Sequence, residues 1–160
     1  MGRKHTFYDS TFNRQDFDPD DEGDFEPDLV FLIMPFKGEG MVDVYSAIKD
    51  ECRKLGLHTR RADEFSGAGM IIDEITDLIE RAEFIVCDLT FERPNVYYEL
   101  GYAHGVGNEA LDILLIAREG TKLHFDIVPL RVEYYSSTEH LRRIVFSSLE
   151  VMIKRTRKTH

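Results

Sequence analysis

Residues 29–34 form an unbroken apolar run, Leu-Val-Phe-Leu-Ile-Met, that is followed directly by Pro35. A strand with one face in water alternates apolar and polar residues, so an unbroken run predicts a strand that is buried on both faces. Strands of this kind belong to parallel sheets that are covered by helices on both sides. The run therefore favours a layered α/β architecture.

Helical patterns separate this strand from four further strand patterns. We predict strands over 29–34, 57–61, 83–88, 111–117 and 130–135, and helices over 41–55, along the apolar stripe 71–79, over 96–106 and over 138–154. Strands that alternate with helices at this spacing build right-handed βαβ units and a parallel sheet. The expected fold is a flavodoxin-like or Rossmann-like three-layer sandwich, with about five parallel strands flanked by helices.

Charge divides the chain into a tail and one domain. Residues 1–28 hold nine acidic and three basic side chains, and their aromatic residues follow neither a helical nor a strand period. We interpret them as a disordered or loosely docked tail. Residues 29–160 then make a single α/β domain of ordinary size. The net charge of −10 argues against a nucleic-acid partner.

Composition argues against several other classes of protein. No apolar run approaches the roughly 18 residues of a membrane span, and the charged N-terminus lacks a secretory signal, so we expect no membrane partner. Cys52 and Cys87 are too few for a disulfide framework or a cysteine zinc site, which favours the cytoplasm. The histidines are scattered without metal-ligand spacing, so no metal is predicted.

The residues that follow each strand are the candidates for a site, because such sheets bind ligands beyond the carboxyl ends of their strands. Asp88 ends the third strand, and a carboxylate buried there must be paired or must accept N–H bonds from the next loop. Asn95 is the expected N-cap of the following helix. Glu99 then lies in the first turn, where the helix dipole favours its ionised form. With Asp88 near it, Glu99 is suited to act as a nucleophile.

Two loops supply further candidates for ligand contact. Met34, Pro35 and Phe36 follow the first strand, and we expect Pro35 and Phe36 to form a wall of the cleft. Ser66 and Gly67 precede a helix N-terminus, where free N–H groups favour an anion. Ordinary turn and capping chemistry explains both loops as well, so both alternatives stay open.

Four segments together resemble the nucleoside 2-deoxyribosyltransferase-like superfamily, and more narrowly its bacterial branch of TIR-like nucleotide-binding proteins. The segments are residues 30–36 (VFLIMPF), 61–64 (RADE), 82–90 (AEFIVCDLT) and 94–104 (PNVYYELGYAH). The resemblance covers about residues 29–135, and residues 88–104 are its most specific part. Classical transferases continue the third strand into an Asp-Gly pair that this chain lacks, which favours the TIR-like branch.

The resemblance implies a retaining displacement at an N-glycosidic bond, and its residues carry over by position. Glu99 would attack the anomeric carbon, and Asp88 would assist the leaving base or orient the nucleophile. Asp63, Glu64 and Asn95 would line the substrate. That substrate would be a nucleoside, a nucleotide or NAD. No cofactor is implied, and subunits of a homo-oligomer would share the site.

Two other functions stay open at this point. The same cleft would serve a non-catalytic module that senses a nucleotide, with Asp88 and Glu99 as hydrogen-bonding groups. A structural adaptor that assembles through its helix faces, as TIR-like domains do, is the third hypothesis. The enzyme is the favoured hypothesis, because two carboxyl groups are expected at one cleft.

Overall fold

The computed structural model describes residues 25–62, 72–108, 112–124 and 130–158. Within these residues the chain alternates strands and helices, with one 3-10 turn at Thr90–Glu92. The elements are β1 (Glu26–Ile33), α1 (Met41–Lys54), β2 (His58–Arg61), α2 (Ile72–Arg81), β3 (Ala82–Asp88), α3 (Pro94–Gly105), β4 (Ile113–Arg118), β5 (Val132–Tyr135) and α4 (Thr138–Lys158).

The five described strands form one parallel sheet in the order β2-β1-β3-β4-β5. The prediction of a five-stranded parallel sheet flanked by helices is therefore confirmed. The order 2-1-3-4-5 is the flavodoxin-like one, which decides between the two topologies that the sequence left open. It also makes β1 and β3 neighbours at the centre of the sheet.

The central strands divide their side chains between two apolar cores. Val30 and Leu32 of β1 face the core under α1 and α4. Phe31 and Ile33 face the core under α2 and α3. This alternation explains the unbroken apolar run, because both faces of β1 lie against helices and neither meets water.

The first strand begins earlier than predicted, at Glu26. The Glu26 carboxylate binds Arg81 Nη2 at 2.6 Å and His58 Nε2 at 2.8 Å, and the Asp28 N–H donates to Glu83 Oε2 at 2.7 Å. Residues 26–28 therefore belong to the sheet and not to the tail, because these bonds tie them to residues of α2, β2 and β3. Residues 1–24 of the predicted tail lie outside the described residues.

The last helix is four residues longer than predicted and ends at Lys158. Its apolar stripe, Leu141, Val145 and Leu149, packs on the core shared with α1. Its final turn carries basic side chains, which the helix dipole favours. Among the described helices, none is both long and apolar enough to cross a membrane.

Candidate active site

The topology opens a crevice where β1 and β3 end. The chain leaves β1 toward α1 on one face of the sheet, and it leaves β3 toward α3 on the other face. Ligand sites in open α/β sheets lie at such switch points. The adjoining segments here are residues 34–40 after β1 and residues 89–93 after β3, and α3 begins directly after the second segment.

Glu99 occupies a position on α3 that normally belongs to an apolar side chain. The buried residues of this helix are Val96, Glu99, Leu100 and Ala103, which are spaced as one stripe toward the sheet. Only 5% of Glu99 is exposed. No cation among the described residues lies within ion-pair distance of its carboxyl group. A carboxyl group buried without a cation is costly, so this position favours a functional role over packing.

Burial raises the pKa of Glu99 from its ordinary 4.5 to about 7, and a hydrogen bond from the Asn95 side chain opposes the rise. The expected N-cap is wrong: Arg93 caps α3 and Pro94 is its first residue. Proline suits that position because no N–H is needed there. Glu99 therefore lies in the second turn, beyond the strongest effect of the dipole. The prediction that the dipole keeps it ionised is wrong for this reason.

Asp88 is fully buried, with an exposed fraction of 0%, and both of its carboxyl oxygens accept hydrogen bonds. Oδ1 accepts the Thr90 N–H at 2.8 Å, and Oδ2 accepts the Tyr135 hydroxyl at 2.8 Å. The Thr90 hydroxyl oxygen in turn accepts the Arg118 N–H at 2.9 Å. Burial raises the pKa of Asp88, and the bonds from Thr90 and Tyr135 oppose that rise. Asp88 thus links the ends of β3, β4 and β5. As one of the two predicted alternatives requires, its carboxyl accepts a hydrogen bond from an N–H of the following loop.

The two candidate carboxyls do not form a pair. Phe84 and Val86 of β3 face α1 and α4, so the strand's alternation points Asp88 to that same face, where Tyr135 also lies. Cys87 faces α3 instead, and burial raises the pKa of its thiol, with smaller contributions from the charges of Asp88 and then Glu99 on either side of it. The expectation that Asp88 approaches Glu99 is therefore wrong, because the pleat of β3 directs them to opposite sides of the sheet.

The residues after β1 divide into a buried and an exposed part. Met34 and Pro35 are buried, whereas 41% of Phe36 is exposed. Arg61, at the end of β2, donates to the Met34 sulfur at 3.8 Å and lies 5.5 Å from the centre of the Phe36 ring. Of the wall expected from Pro35 and Phe36, only Phe36 is accessible. The remaining candidates, Asp63, Glu64, Ser66 and Gly67, lie outside the described residues.

The structure adds a cluster of three residues at this edge, Phe91, Arg93 and Arg118, which we call the Phe91 cluster. The guanidinium carbons of Arg93 and Arg118 lie 5.7 and 5.4 Å from the centre of the Phe91 ring. Phe91 has a φ of 69°, in the left-handed region that a side chain rarely adopts. Its ring lies so close to Gly38 that a Cβ there would be 2.3 Å from Cε2.

The sequence offered a signal for only part of this cluster. Arg118 is the last residue of β4, so, like Asp88 at the end of β3, it lies at the carboxyl end of a strand, where such sheets bind ligands. Nothing in the sequence marks the positive φ of Phe91. Arg118 and Phe91 line a shallow depression of about 360 Å³ together with Thr90, Glu92, Glu119, Gly120, Thr121 and Lys122.

In the described part of the chain, no three histidine, cysteine or acidic side chains converge as a metal site would require. Both cysteines are buried free thiols. Burial raises the pKa of Cys52 to about 12 and that of Cys87 well above its ordinary value. Because thiolates are the reactive form, neither thiol is suited to nucleophilic chemistry in the folded protein.

Comparisons with known structures identify the fold. The sequence matches no protein-family model and no curated protein. A 2-deoxyribosyltransferase from Bacillus psychrosaccharolyticus superposes with a TM-score of 0.57 at 16% identity, over 71% of this chain and 90% of that one. The CMP N-glycosidase BcmB from Clostridium botulinum gives 0.57 at 17% identity, over 72% and 96%. The chain has a nucleoside 2-deoxyribosyltransferase-like fold.

The same layered arrangement also occurs with a different chemistry. Diflavin flavoprotein A3 from Nostoc sp. superposes with a TM-score of 0.52 at 12% identity, over 82% of this chain and 96% of that one. A shared fold at such identities does not carry an activity with it. The fold alone therefore does not assign a function to this chain.

Proposed function

We propose that this chain cleaves or transfers the N-glycosidic bond of a nucleoside or nucleotide, with Glu99 as the nucleophile. The observation that carries the proposal is the buried Glu99 carboxyl on the core-facing stripe of α3, which has no cation partner among the described residues. The helix begins at the switch point, where this type of sheet binds ligands. The similarity in fold to a 2-deoxyribosyltransferase and to a CMP N-glycosidase supports the choice of reaction.

The raised pKa of Glu99 suits it to a covalent step near neutral pH. A desolvated carboxylate is a stronger nucleophile than a hydrated one, and a pKa of about 7 leaves a large ionised fraction at pH 7–8. Its oxygen attacks the anomeric carbon, and the base leaves with the electrons of the carbon–nitrogen bond and takes a proton from solvent. Water or a second base then displaces Glu99 from the sugar, which gives net retention.

Other residues take supporting roles in this proposal. Asn95 keeps the Glu99 carboxyl oriented through their hydrogen bond. Asp88 acts indirectly, because its oxygens hold Thr90 and Tyr135. The reaction needs no cofactor, so NAD enters this proposal only as an alternative substrate beside nucleosides and nucleotides. Cytoplasmic location and a homo-oligomeric site belong to the same proposal.

One observation favours a second candidate, a non-catalytic module that senses a nucleotide. A hydrolase with two working carboxyls places both at the bond that breaks. Here Asp88 is buried on the other face of the sheet and fully hydrogen-bonded. A module that only binds a nucleotide breaks no bond and therefore needs no second carboxyl beside Glu99. Saturable stabilisation by a nucleotide without any turnover would identify this function.

Base release, followed by chromatography, tests the enzymatic proposal. Wild type and Glu99→Gln are incubated with nucleosides, deoxynucleosides, nucleotides and NAD, each with and without a second base. We expect release by wild type and a loss of at least 100-fold in Glu99→Gln, because the amide is a poor nucleophile. Dependence on the added base identifies a transferase.

Glu51→Gln provides the matched control. Glu51 is equally buried but lies on α1 and pairs with Lys54 and Arg142, far from α3 in the fold. It should retain base release as long as it remains folded. Equal release by wild type and Glu99→Gln would remove Glu99 from the mechanism. Silence from wild type across the whole panel, in protein that melts cooperatively, would refute the enzymatic proposal.

A further inference from the structure

The Phe91 cluster presents two guanidinium groups that form no ion pair with any residue of the described part of the chain, although the charge of Arg118 acts on the buried Asp88 carboxyl. Most of the other arginines that the structure describes form ion pairs, among them Arg81, Arg142 and Arg155. Among the described residues no carboxylate lies within ion-pair distance of Arg93 or Arg118. Arg118 Nη2 donates only to the carbonyl oxygen of Glu39, at 2.6 Å, so it keeps further donors free. In a chain of net charge −10, two such groups at one edge need a reason.

Contacts within the protein hold this cluster in place. Phe91 is 39% exposed, yet its ring is packed against Gly38, and its backbone adopts a left-handed φ. The Arg118 side chain is anchored to the Glu39 carbonyl, and the Arg118 N–H donates to the Thr90 hydroxyl oxygen. That hydroxyl also bonds with the Tyr135 hydroxyl, and the Thr90 N–H donates to Asp88. Strained residues that the surrounding structure holds so firmly cluster at ligand sites.

The cluster borders the depression beside β4, where the surrounding charges are mixed. Its lining holds two cations, Arg118 and Lys122, and two carboxylates, Glu92 and Glu119. Arg93 lies outside this lining, at the start of α3. Glu92 is engaged by the Tyr97 hydroxyl, which donates to its Oε1 at 3.0 Å, and Glu119 is exposed to solvent. Water screens an exposed carboxylate strongly, so Glu119 does not neutralise the arginines as a buried acid would.

We propose that Arg93 and Arg118 bind the phosphate of a nucleotide substrate. Guanidinium groups donate two parallel N–H bonds to phosphate oxygens, which makes arginine the preferred residue for this ligand. Arg93 caps α3 and Glu99 follows six residues later, about 9 Å along the helix axis. Arg118 continues the alternation of Ile116 toward the α1 and α4 face, whereas Arg93 begins the helix that carries Glu99 on the other face. The phosphate would thus lie at the edge of the sheet between the two faces, with the sugar directed past Arg93 toward Glu99. The inference rests on the proposed function for its choice of substrate, and it selects nucleotides over free nucleosides.

Calorimetric titration tests the phosphate site independently of turnover. The ligands are the four ribonucleoside 5′-monophosphates, the matching nucleosides, NAD and inorganic phosphate. We expect at least one monophosphate to bind 100-fold tighter than its nucleoside, with a loss of about tenfold in each of Arg93→Gln and Arg118→Gln. The nucleoside's own affinity should change less than twofold. If NAD shows the arginine dependence and the monophosphates do not, the phosphate bound is that of a dinucleotide.

Two comparisons make the result decisive. Arg53→Gln removes the same charge from the last turn of α1 and should leave every affinity unchanged within twofold. Arg93→Gln removes an exposed side chain that has no hydrogen bond to any described residue, so this variant should fold normally. Equal affinity for nucleotide and nucleoside, or nucleotide binding that ignores both arginines, would overturn the phosphate site. Base release from nucleosides as fast as from nucleotides would overturn it too, and would leave the proposed reaction standing. Arginine-dependent binding without base release would support the phosphate site and refute the proposed reaction.

Discussion

Replacing Glu99 with glutamine should make the folded protein more stable at alkaline pH. The carboxyl has a pKa of about 7 in the folded protein and an ordinary value of 4.5, so folding strengthens its hold on a proton. The contribution of Glu99 to the free energy of unfolding of wild type therefore falls as the pH rises from about 4.5 to about 7 and is level above that. Glutamine resembles the protonated side chain in shape and polarity and does not titrate.

The magnitude follows from the difference between the two pKa values. One pKa unit corresponds to about 1.36 kcal/mol. The free energy of unfolding of Glu99→Gln should therefore exceed that of wild type by about 3 kcal/mol at pH 8.5 and by less than about 1 kcal/mol at pH 5. For a chain of this length, 3 kcal/mol corresponds to a rise in Tm of roughly 6–12 °C. All other titrating groups are common to both proteins, so the difference between them isolates Glu99.

Urea unfolding at pH 5, 7 and 8.5 measures this difference, with Glu51→Gln as the control. Glu51 is 4% exposed, but its Oε1 binds Lys54 at 2.8 Å and Arg142 at 3.1 Å. Loss of those ion pairs should lower stability at pH 8.5, which is the opposite sign. A Glu99→Gln protein that is no more stable than wild type at pH 8.5 would refute the argument that burial raises the pKa of Glu99.

Tyr135→Phe should lower the free energy of unfolding by about 1–3 kcal/mol, because the buried Asp88 carboxyl loses a donor; unchanged stability in urea would contradict this. Gly38→Ala should lower the Tm, since its Cβ would meet the Phe91 ring, and adding Phe91→Ala should restore part of the loss. Recovery would be incomplete because φ at Gly38 is +139°. The Cys87 thiol should resist a disulfide reagent in native buffer and react after unfolding, because burial raises its pKa; fast native reaction would exclude this.

The sheet was predictable because its evidence is local. An apolar run such as residues 29–34 reports burial on both faces, and each helix shows its period within its own length. The boundaries were predicted less well where a distant partner decides them. Glu26 enters β1 because Arg81 and His58 bind its carboxylate, and no neighbouring residue indicates that.

The site depended more on tertiary structure. The sequence placed Glu99 on α3 and Asp88 at the end of β3, and both positions hold. It predicted a pair of carboxyls, whereas the pleat of β3 turns Asp88 toward Tyr135 and away from α3. The pKa of Glu99 also depends on burial, which residue type and helix position do not reveal.

Sequence by itself determined the α/β class and the parallel sheet, because hydrophobic periodicity is visible within each segment. It also predicted the edge of the sheet where a ligand would lie, because the residues that follow each strand can be identified from the sequence. Only the tertiary structure decided that the two carboxyls lie on opposite faces of the sheet, that burial raises the pKa of Glu99, and that Arg93 and Arg118 both lie near the Phe91 ring. Those properties come from distances between residues far apart in the chain. Folding sets such distances, and no single segment of the sequence carries them.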